Sequence, residues 1–411
     1  MFKQLCKHLF YFNIEHNPGI TKCRVDLSVF GIKFKYRIAK PLTNKFICKV
    51  LGVKTLLIIR TDGIGDYILT RPFFKSIKES QKYKDYKIIF AGKPNFVSLA
   101  KKYDNEYISD YIIINTNDLF ELKSLFKNAK KMNFDIVVNP MDSKTNWIGE
   151  KFVKLVKSKQ KIGHIGIYGK QDIKNLNKAK KVINKYDYLI DTGSECNFML
   201  EKNKAFFEKL INQKIPDINL LSDAQFSEPD ISHKYVIISP FANDEKRIYG
   251  YKNFVKIIDF LTQNYKTNVV IIGSESEYEK AKKIRTSCVD ANKVFNLAGK
   301  LSLAESLMYI KYADLLIANE TGTVHLAQNF SVKTVCISNG SYMGIFQPYP
   351  TPTSVTYVYP NNIMQYLLEH KEYGNASSYD INKIPAEKVL NCIENIFRNK
   401  TKFSAEDFIQ Q

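Results

Sequence analysis

The sequence predicts an α/β protein of two domains, each a parallel sheet with helices on both faces, set opposite one another across a cleft and preceded by a basic extension. Three observations carry that expectation. Short apolar runs alternate with segments of helical apolar spacing through most of the chain. The alternation comes in two series separated by a polar, Asp/Ser/Pro-bearing stretch from Asp217 to Ser232. And 411 residues are more than one ordinary core organises. A hydrophobic content of 45% with 13% aromatics belongs to a globular chain rather than a disordered one.

The extension comes first, over residues 1–53. Residues 1–54 hold eleven Lys or Arg against Glu15 and Asp26, a net +9 of the formal +20 on the whole chain. MFKQLCKHLFYF interleaves apolar residues with lysines and is expected to form a short amphipathic helix; Val29 to Lys40 alternates apolar and basic residues as a hairpin strand does. Such a field attracts anionic lipid, phosphorylated substrate or nucleic acid alike. Two readings stay open: attachment to an anionic membrane surface, or a solvated extension packed on the body of the protein.

The first domain, residues 54–230, opens with the strand Thr55 to Arg60, the turn TDGIGD from Thr61 to Asp66, and a helix expected over Tyr67 to Glu79. Gly63 and Gly65 permit a tight loop and close backbone approach, but no third glycine stands at dinucleotide spacing. Three βα pairs are expected next: Lys87 to Ala91 with Phe96 to Tyr103, Tyr111 to Asn115 with Leu119 to Met132, and Phe134 to Asn139 with Trp147 to Val156. Residues 164–230 are less regular, with a helix from Glu195 to Asn212. In a parallel sheet ligands bind beyond the carboxyl ends of the strands, where Thr61 to Asp66 and Pro140 to Asn146 fall. Asp66 then suits a general base, or is a helix-terminal Asp held by the dipole.

The second domain, residues 231–384, repeats the scheme. Strands are expected at Tyr235 to Ser239, Asn268 to Ile272, Lys293 to Asn296, Ala313 to Ala318 and Val332 to Ser338; helices at Tyr251 to Tyr265, Glu275 to Arg285, Leu303 to Tyr312 and Val324 to Phe330. Residues 385–411 supply a terminal helix, Pro385 to Arg398, and a tail. The small-residue turn Thr321-Gly322-Thr323 offers backbone N–H groups at a helix start, which suits a phosphate or pyrophosphate. Lys246 and Arg247, after a strand in SPFANDEKR, suit phosphate oxygens or form an exposed basic loop. Glu275, just past Gly273-Ser274, suits ribose hydroxyls or is a first-turn helix Glu. His325, four residues beyond Thr321, faces the same pocket or is a partly buried histidine.

Several chemistries are excluded. No G-x-x-x-x-G-K-[ST] loop, G-x-S-x-G elbow or H-E-x-x-H occurs, and the missing D-x-D pair argues against a nucleotide held through a divalent metal. Seven scattered cysteines without C-x-x-C spacing read as reduced and cytoplasmic, with neither a disulfide framework nor a zinc site. No apolar run reaches the ~20 residues of a bilayer span and the first residues lack a signal-peptide pattern, so membrane contact is expected to be peripheral. The charge is concentrated in one segment without a nucleic-acid-binding motif, which argues against a nucleic-acid partner.

Taken together and in order, LLIIRTDGIGDYILTRPFFKSIK, DIVVNP with KIG, SPFANDEKR, IIGSESE, NLAGKLSLAE and ADLLIANETGTVHLAQ resemble the heptosyltransferase family of lipopolysaccharide core assembly over about residues 54–350. The resemblance implies two Rossmann-like domains facing a cleft, the GT-B architecture, and inverting transfer from an ADP-activated heptose with no cofactor and no metal. It implies that Asp66 is the catalytic base, with Gly63 and Gly65 in the acceptor-side loop. Lys246 would hold the donor phosphate and Glu275 its ribose; Glu320, Thr321, Gly322 and His325 would surround the pyrophosphate and sugar. Glu320 stands where the family has Asp, and GSYMGIFQPYP from Gly340 replaces its proline-aspartate segment, so the sugar stays open. The implied acceptor is a glycolipid at the inner face of the inner membrane. The alternatives are a sugar-nucleotide-binding protein without transfer activity and a basic nucleic-acid-binding protein.

Overall fold

The computed structural model describes the backbone of three strands within residues 10–39, and residues 53–398 apart from 144–145, 167–183, 194–197, 217–226, 232–233 and 351–352. Strands β1 (Phe10–Glu15), β2 (Lys22–Val29) and β3 (Ile32–Ala39) form an antiparallel sheet in which Val29 pairs with Ile32 and Arg24 with Arg37. The hairpin strand is therefore present. Phe10 to Phe12, expected in an amphipathic helix, lie instead in β1, whose FYFNIE sequence is rich in aromatic and β-branched residues. Residues 1–9 of that expected helix and most of the expected linker lie outside the described residues.

The next sheet runs β4 (Thr55–Arg60), α1 (Ile64–Ile68), α2 (Pro72–Glu79), β5 (Lys87–Gly92), α3 (Pro94–Tyr103), β6 (Asp110–Ile113), α4 (Leu119–Ala129), β7 (Asn133–Asn139), α5 (Trp147–Leu155), β8 (Lys157–His164), β9 (Tyr188–Ile190) and α6 (Met199–Ile211). Its order is β6-β5-β4-β7-β8-β9 and every pairing is parallel. The one helix expected over Tyr67 to Glu79 is two. Pro72 has no N–H to give the carbonyl of Ile68 and starts α2 at its first position, where that lack costs nothing. Asn203 Nδ2 donates to Leu69 O in the break at 3.0 Å.

A second sheet follows with β10 (Tyr235–Ser239), α7 (Tyr251–Asn264), β11 (Asn268–Ile271), α8 (Tyr278–Ser287), β12 (Val294–Asn296), α9 (Leu303–Lys311), β13 (Leu315–Asn319), α10 (Gly322–Asn329), β14 (Thr334–Ile337), β15 (Val355–Val358), α11 (Ile363–Glu369) and α12 (Ala386–Arg398). Its order is β12-β11-β10-β13-β14-β15, again all parallel, so both sheets carry the same 3-2-1-4-5-6 winding. Each has a switch point, between β4 and β7 and between β10 and β13. There the chain leaves to opposite sides and opens a crevice at the carboxyl ends.

Burial follows strand parity. Leu57 and Ile59 pack with Leu122, Phe126 and Phe152 on one face of the first sheet, while Val236, Ile238, Leu315 and Ile317 pack with Val389, Ile393 and Ile396 of α12 in the second. The other faces meet in one apolar cluster that runs from Leu56, Ile58 and Phe90 to Leu316, Ala318 and Val324. The stretch before α12 contains β15 and α11.

Candidate active site at the domain interface

Loops from the two switch points meet where α1 packs on α10. On the first side, β4 ends in Arg60, a charged residue closing an apolar strand with its side chain 1% exposed. Arg60 Nε donates to Asp62 Oδ1 at 3.0 Å and Nη2 to Asp66 Oδ1 at 3.4 Å. Gly63 N donates to Asp66 Oδ2 at 3.0 Å, so Asp66 caps its own helix start as the dipole reading expected, while its carboxylate stays partly accessible to solvent.

Burial raises Asp66 above the ordinary carboxylate range, with Arg60 opposing the rise and Asp142 adding to it. Burial likewise pushes Asp62 up to about 7, against Arg60 and with help from the Asp66 and Asp142 charges. Asp142 differs: burial penalises its charge, but Lys202, 3.1 Å away on α6 and 3% exposed, keeps it below the usual range. Thr61 Oγ1 donates to Asn146 Oδ1 at 3.0 Å and ties the TDGIGD turn to the loop after β7.

On the second side, Asn319 at the end of β13 donates to Pro240 O at 2.7 Å and accepts from Tyr249 N at 3.1 Å, joining the two switch-point loops. Next to it Glu320 is buried and accepts from Arg247 Nη1 at 2.7 Å. Burial raises Glu320, Arg247 opposes, and the charge of Asp66 adds to the rise from across the interface. The extra methylene of Glu320 is thus committed to Arg247, which also packs over the Tyr342 ring at 5.7 Å. Arg247, one of two cations expected to meet phosphate, pairs with the Glu320 carboxylate; Lys246 is exposed. Thr321 Oγ1 is buried with no hydrogen-bond partner among the described residues.

Gly322 and Gly65 are required by close approach. A Cβ on Gly322 would lie 2.2 Å from Ile64 Cγ2, and one on Gly65 would lie 2.8 Å from His325 Cδ2. His325 is buried at this seam, its Nδ1 2.7 Å from the Tyr349 hydroxyl, and burial lowers it to about 4, so it is neutral at pH 7. His325 is thus a buried histidine that lies against the loop carrying Asp66. Gly63, Gly65 and Asp66 on one side therefore face Glu320, Thr321, Gly322 and His325 on the other. Glu275 opens a short 3-10 turn beyond β11; Glu277, not Glu275, caps that turn through Ser274 N at 2.6 Å, leaving Glu275 exposed and outside the cluster's hydrogen bonds.

Sequence reasoning missed Arg60, Asp62, Asp142 and Lys202. A signal existed for Arg60, an arginine directly after the apolar run LLII; none marked Lys202, one lysine among many on an ordinary amphipathic helix.

Residues 122–364 match the model of glycosyltransferase family 9 (heptosyltransferase). The chain is 25% identical over 283 residues to lipooligosaccharide heptosyltransferase 2 of Campylobacter jejuni, covering 67% of this chain and 77% of that protein. It is 22% identical over 347 residues to lipopolysaccharide heptosyltransferase 3 of Escherichia coli K12, covering 81% and 95%. Among solved structures it is similar to a glycosyl transferase family 9 protein of Veillonella parvula (TM-score 0.65, 13% identity, 84% of this chain and 98% of that one). It is also similar to the E. coli heptosyltransferase WaaC with ADP-2-deoxy-2-fluoro heptose (TM-score 0.60, 14% identity, 83% and 99%). The paired six-stranded parallel sheets and the family match agree: this chain belongs to glycosyltransferase family 9, the heptosyltransferases, and is a glycosyltransferase.

Proposed function

We propose that the protein is a metal-independent, inverting glycosyltransferase that moves a heptose or related sugar from a nucleotide-diphosphate donor to a lipopolysaccharide-type or other glycolipid acceptor. The observation that carries this reading is the meeting of Asp66 with the Glu320-Thr321-Gly322 loop, each at the switch point of its own sheet. Asp66 takes the proton of an acceptor hydroxyl, and that oxygen attacks the anomeric carbon from the side opposite the leaving group. The carbon–oxygen bond to the nucleotide diphosphate breaks with inversion. A carboxylate raised by burial is a stronger base than an exposed one, which serves this step.

Lys246, Thr321 Oγ1 and the Gly322 N–H stabilise charge growing on the departing diphosphate; loss of one such preorganised donor costs about 2.7–4 kcal/mol. In this reading Glu275, exposed beyond β11, accepts hydrogen bonds from the donor's ribose hydroxyls. His325, neutral and tied to Tyr349, shapes the loop rather than pairing with phosphate. Ile64 lies on Gly322, so donor access is coupled to separation of the two loops. The E. coli heptosyltransferase WaaC, solved with ADP and with ADP-2-deoxy-2-fluoro heptose, supports an ADP-heptose-like donor. Among the described residues no helix is long and apolar enough to cross a membrane. In this reading a glycolipid acceptor is met at the inner face of the inner membrane, with the basic N-terminal segment, net +9 over residues 1–54, against anionic lipid.

Asp66→Asn is the test. Turnover should fall about a hundredfold or more while donor affinity, measured by calorimetry, stays near that of the parent. Near-normal turnover in the folded variant would reject the base.

A further inference from the structure

The base does not stand alone on its cation. One guanidinium, Arg60, serves two carboxylates: Asp62 at 3.0 Å through Nε and Asp66 at 3.4 Å through Nη2. Asp62 holds the nearer share, and Arg60 Nη1 is buried without a hydrogen-bond partner among the described residues. The other nearby cations do not bridge the two carboxylates. Lys93, in the loop after β5, donates to the Asp62 carbonyl at 2.6 Å and interacts with the charges of both Asp62 and Asp66. Lys202 on α6 pairs with Asp142 in the loop after β7. Across the interface Arg247 pairs with Glu320, and His325 is uncharged. Asp62, Asp66, Asp142 and Glu320 thus crowd four carboxylates around the turn, and Arg60 is the guanidinium that bridges the first two.

We infer that Asp62 is a positioning residue for the transfer step, competing with Asp66 for the Arg60 guanidinium and so setting how firmly Asp66 holds a proton. The inference rests on the reading of Asp66 as the base. Two buried carboxylates close to one cation do not ionise independently; one takes the proton so that the other keeps its charge. Burial pushes Asp62 up to about 7 and raises Asp66 as well, Asp66 being the one farther from Arg60. Its longer, weaker contact with Arg60 also keeps it basic enough to accept the acceptor's proton.

The experiment is the pH dependence of kcat/KM for the full-length enzyme and its Asp62→Asn, Arg60→Gln and Asp66→Asn variants, each checked by circular dichroism. With Asp62→Asn the pull of Arg60 falls on Asp66 alone. The acidic limb should move to lower pH by about one unit, since a cation beside an Asp lowers it by about 1–3 units, and the plateau should fall because the base is weaker. Arg60→Gln should move the limb the other way, and it supplies the readout if Asp62→Asn does not fold. A lowered plateau with an unmoved limb in Asp62→Asn, or limbs moving together in both variants, overturns the inference and leaves Asp66 as the base. Retained turnover in Asp66→Asn would instead overturn the base itself.

Discussion

Replacing Gly322 with alanine tests whether the seam between α1 and α10 matters for transfer. The added Cβ would sit 2.2 Å from Ile64 Cγ2 and 3.4 Å from Gly65 N. Carbon atoms in contact prefer about 3.5–4.0 Å, so about 1.3–1.8 Å of separation has to be found. Ile64 is β-branched at the first position of α1 and has little χ1 freedom; leaving its rotamer costs about 0.5–1.5 kcal/mol. Overpacking of this kind costs typically ~1–3 kcal/mol, which makes the closed seam about 5- to 150-fold less populated at ~1.4 kcal/mol per tenfold.

The sign discriminates. In an isolated helix the same change favours the helix by about 0.5–1 kcal/mol, so any loss has to come from the interface. Release of nucleoside diphosphate under acceptor-dependent conditions gives kcat/KM, and small-angle scattering gives the radius of gyration. Gly322→Ala should lower the first and raise the second. Ile64→Ala in the same chain removes the offending methyl and should restore part of both. Unchanged kcat/KM and size in Gly322→Ala, or a defect that Ile64→Ala leaves untouched, would refute the reasoning.

Acid should unfold the protein partly through His325. Its folded value is depressed from about 6.5 to about 4, so the unfolded chain binds the proton more readily between those values, and stability present above pH 6.5 is lost as pH falls. The loss is about 2.5 kcal/mol by pH 4.5 at ~1.36 kcal/mol per unit, and His325→Asn should flatten that part of the urea-midpoint profile. Transfer should persist in excess EDTA, because the sequence has no D-x-D pair and offers Lys246 with a helix start for the diphosphate; rescue by magnesium or manganese after EDTA would contradict this. Deleting residues 1–50 should weaken sedimentation with anionic liposomes, and salt should weaken the full-length complex, while transfer to a soluble acceptor fragment changes little. Equal liposome binding by both forms would remove the membrane role.

What the chain announces by itself is its local periodicity and its loops. Apolar runs such as TLLIIR and LLIAN are strands because parallel strands covered on both faces need hydrophobic residues at every position, and both are buried almost throughout. TDGIGD and NETGTVHLA were legible because small and acidic residues between a strand and a helix have few other uses. β8 was not legible: KSKQKIGH is lysine-rich and buries only its last three residues, so its pairing with β7 comes from the sheet rather than from its own pattern. β9 is three residues long and shows no period. Phe10 to Phe12 gave an amphipathic signal that strand pairing overrode.

Tertiary structure alone decided the partners. Nothing local says that Arg60 is shared by Asp62 and Asp66, that Arg247 pairs with Glu320, or that Lys202 reaches Asp142 from 60 residues away. Gly322 reads as a phosphate-loop glycine, but in the fold it also makes room for Ile64 of the opposite domain, and His325 owes its neutrality to burial between Gly65 and Tyr349. A side chain's type and spacing state what it is able to do. The distance and burial that select among those abilities arise only when two separately wound sheets are brought face to face.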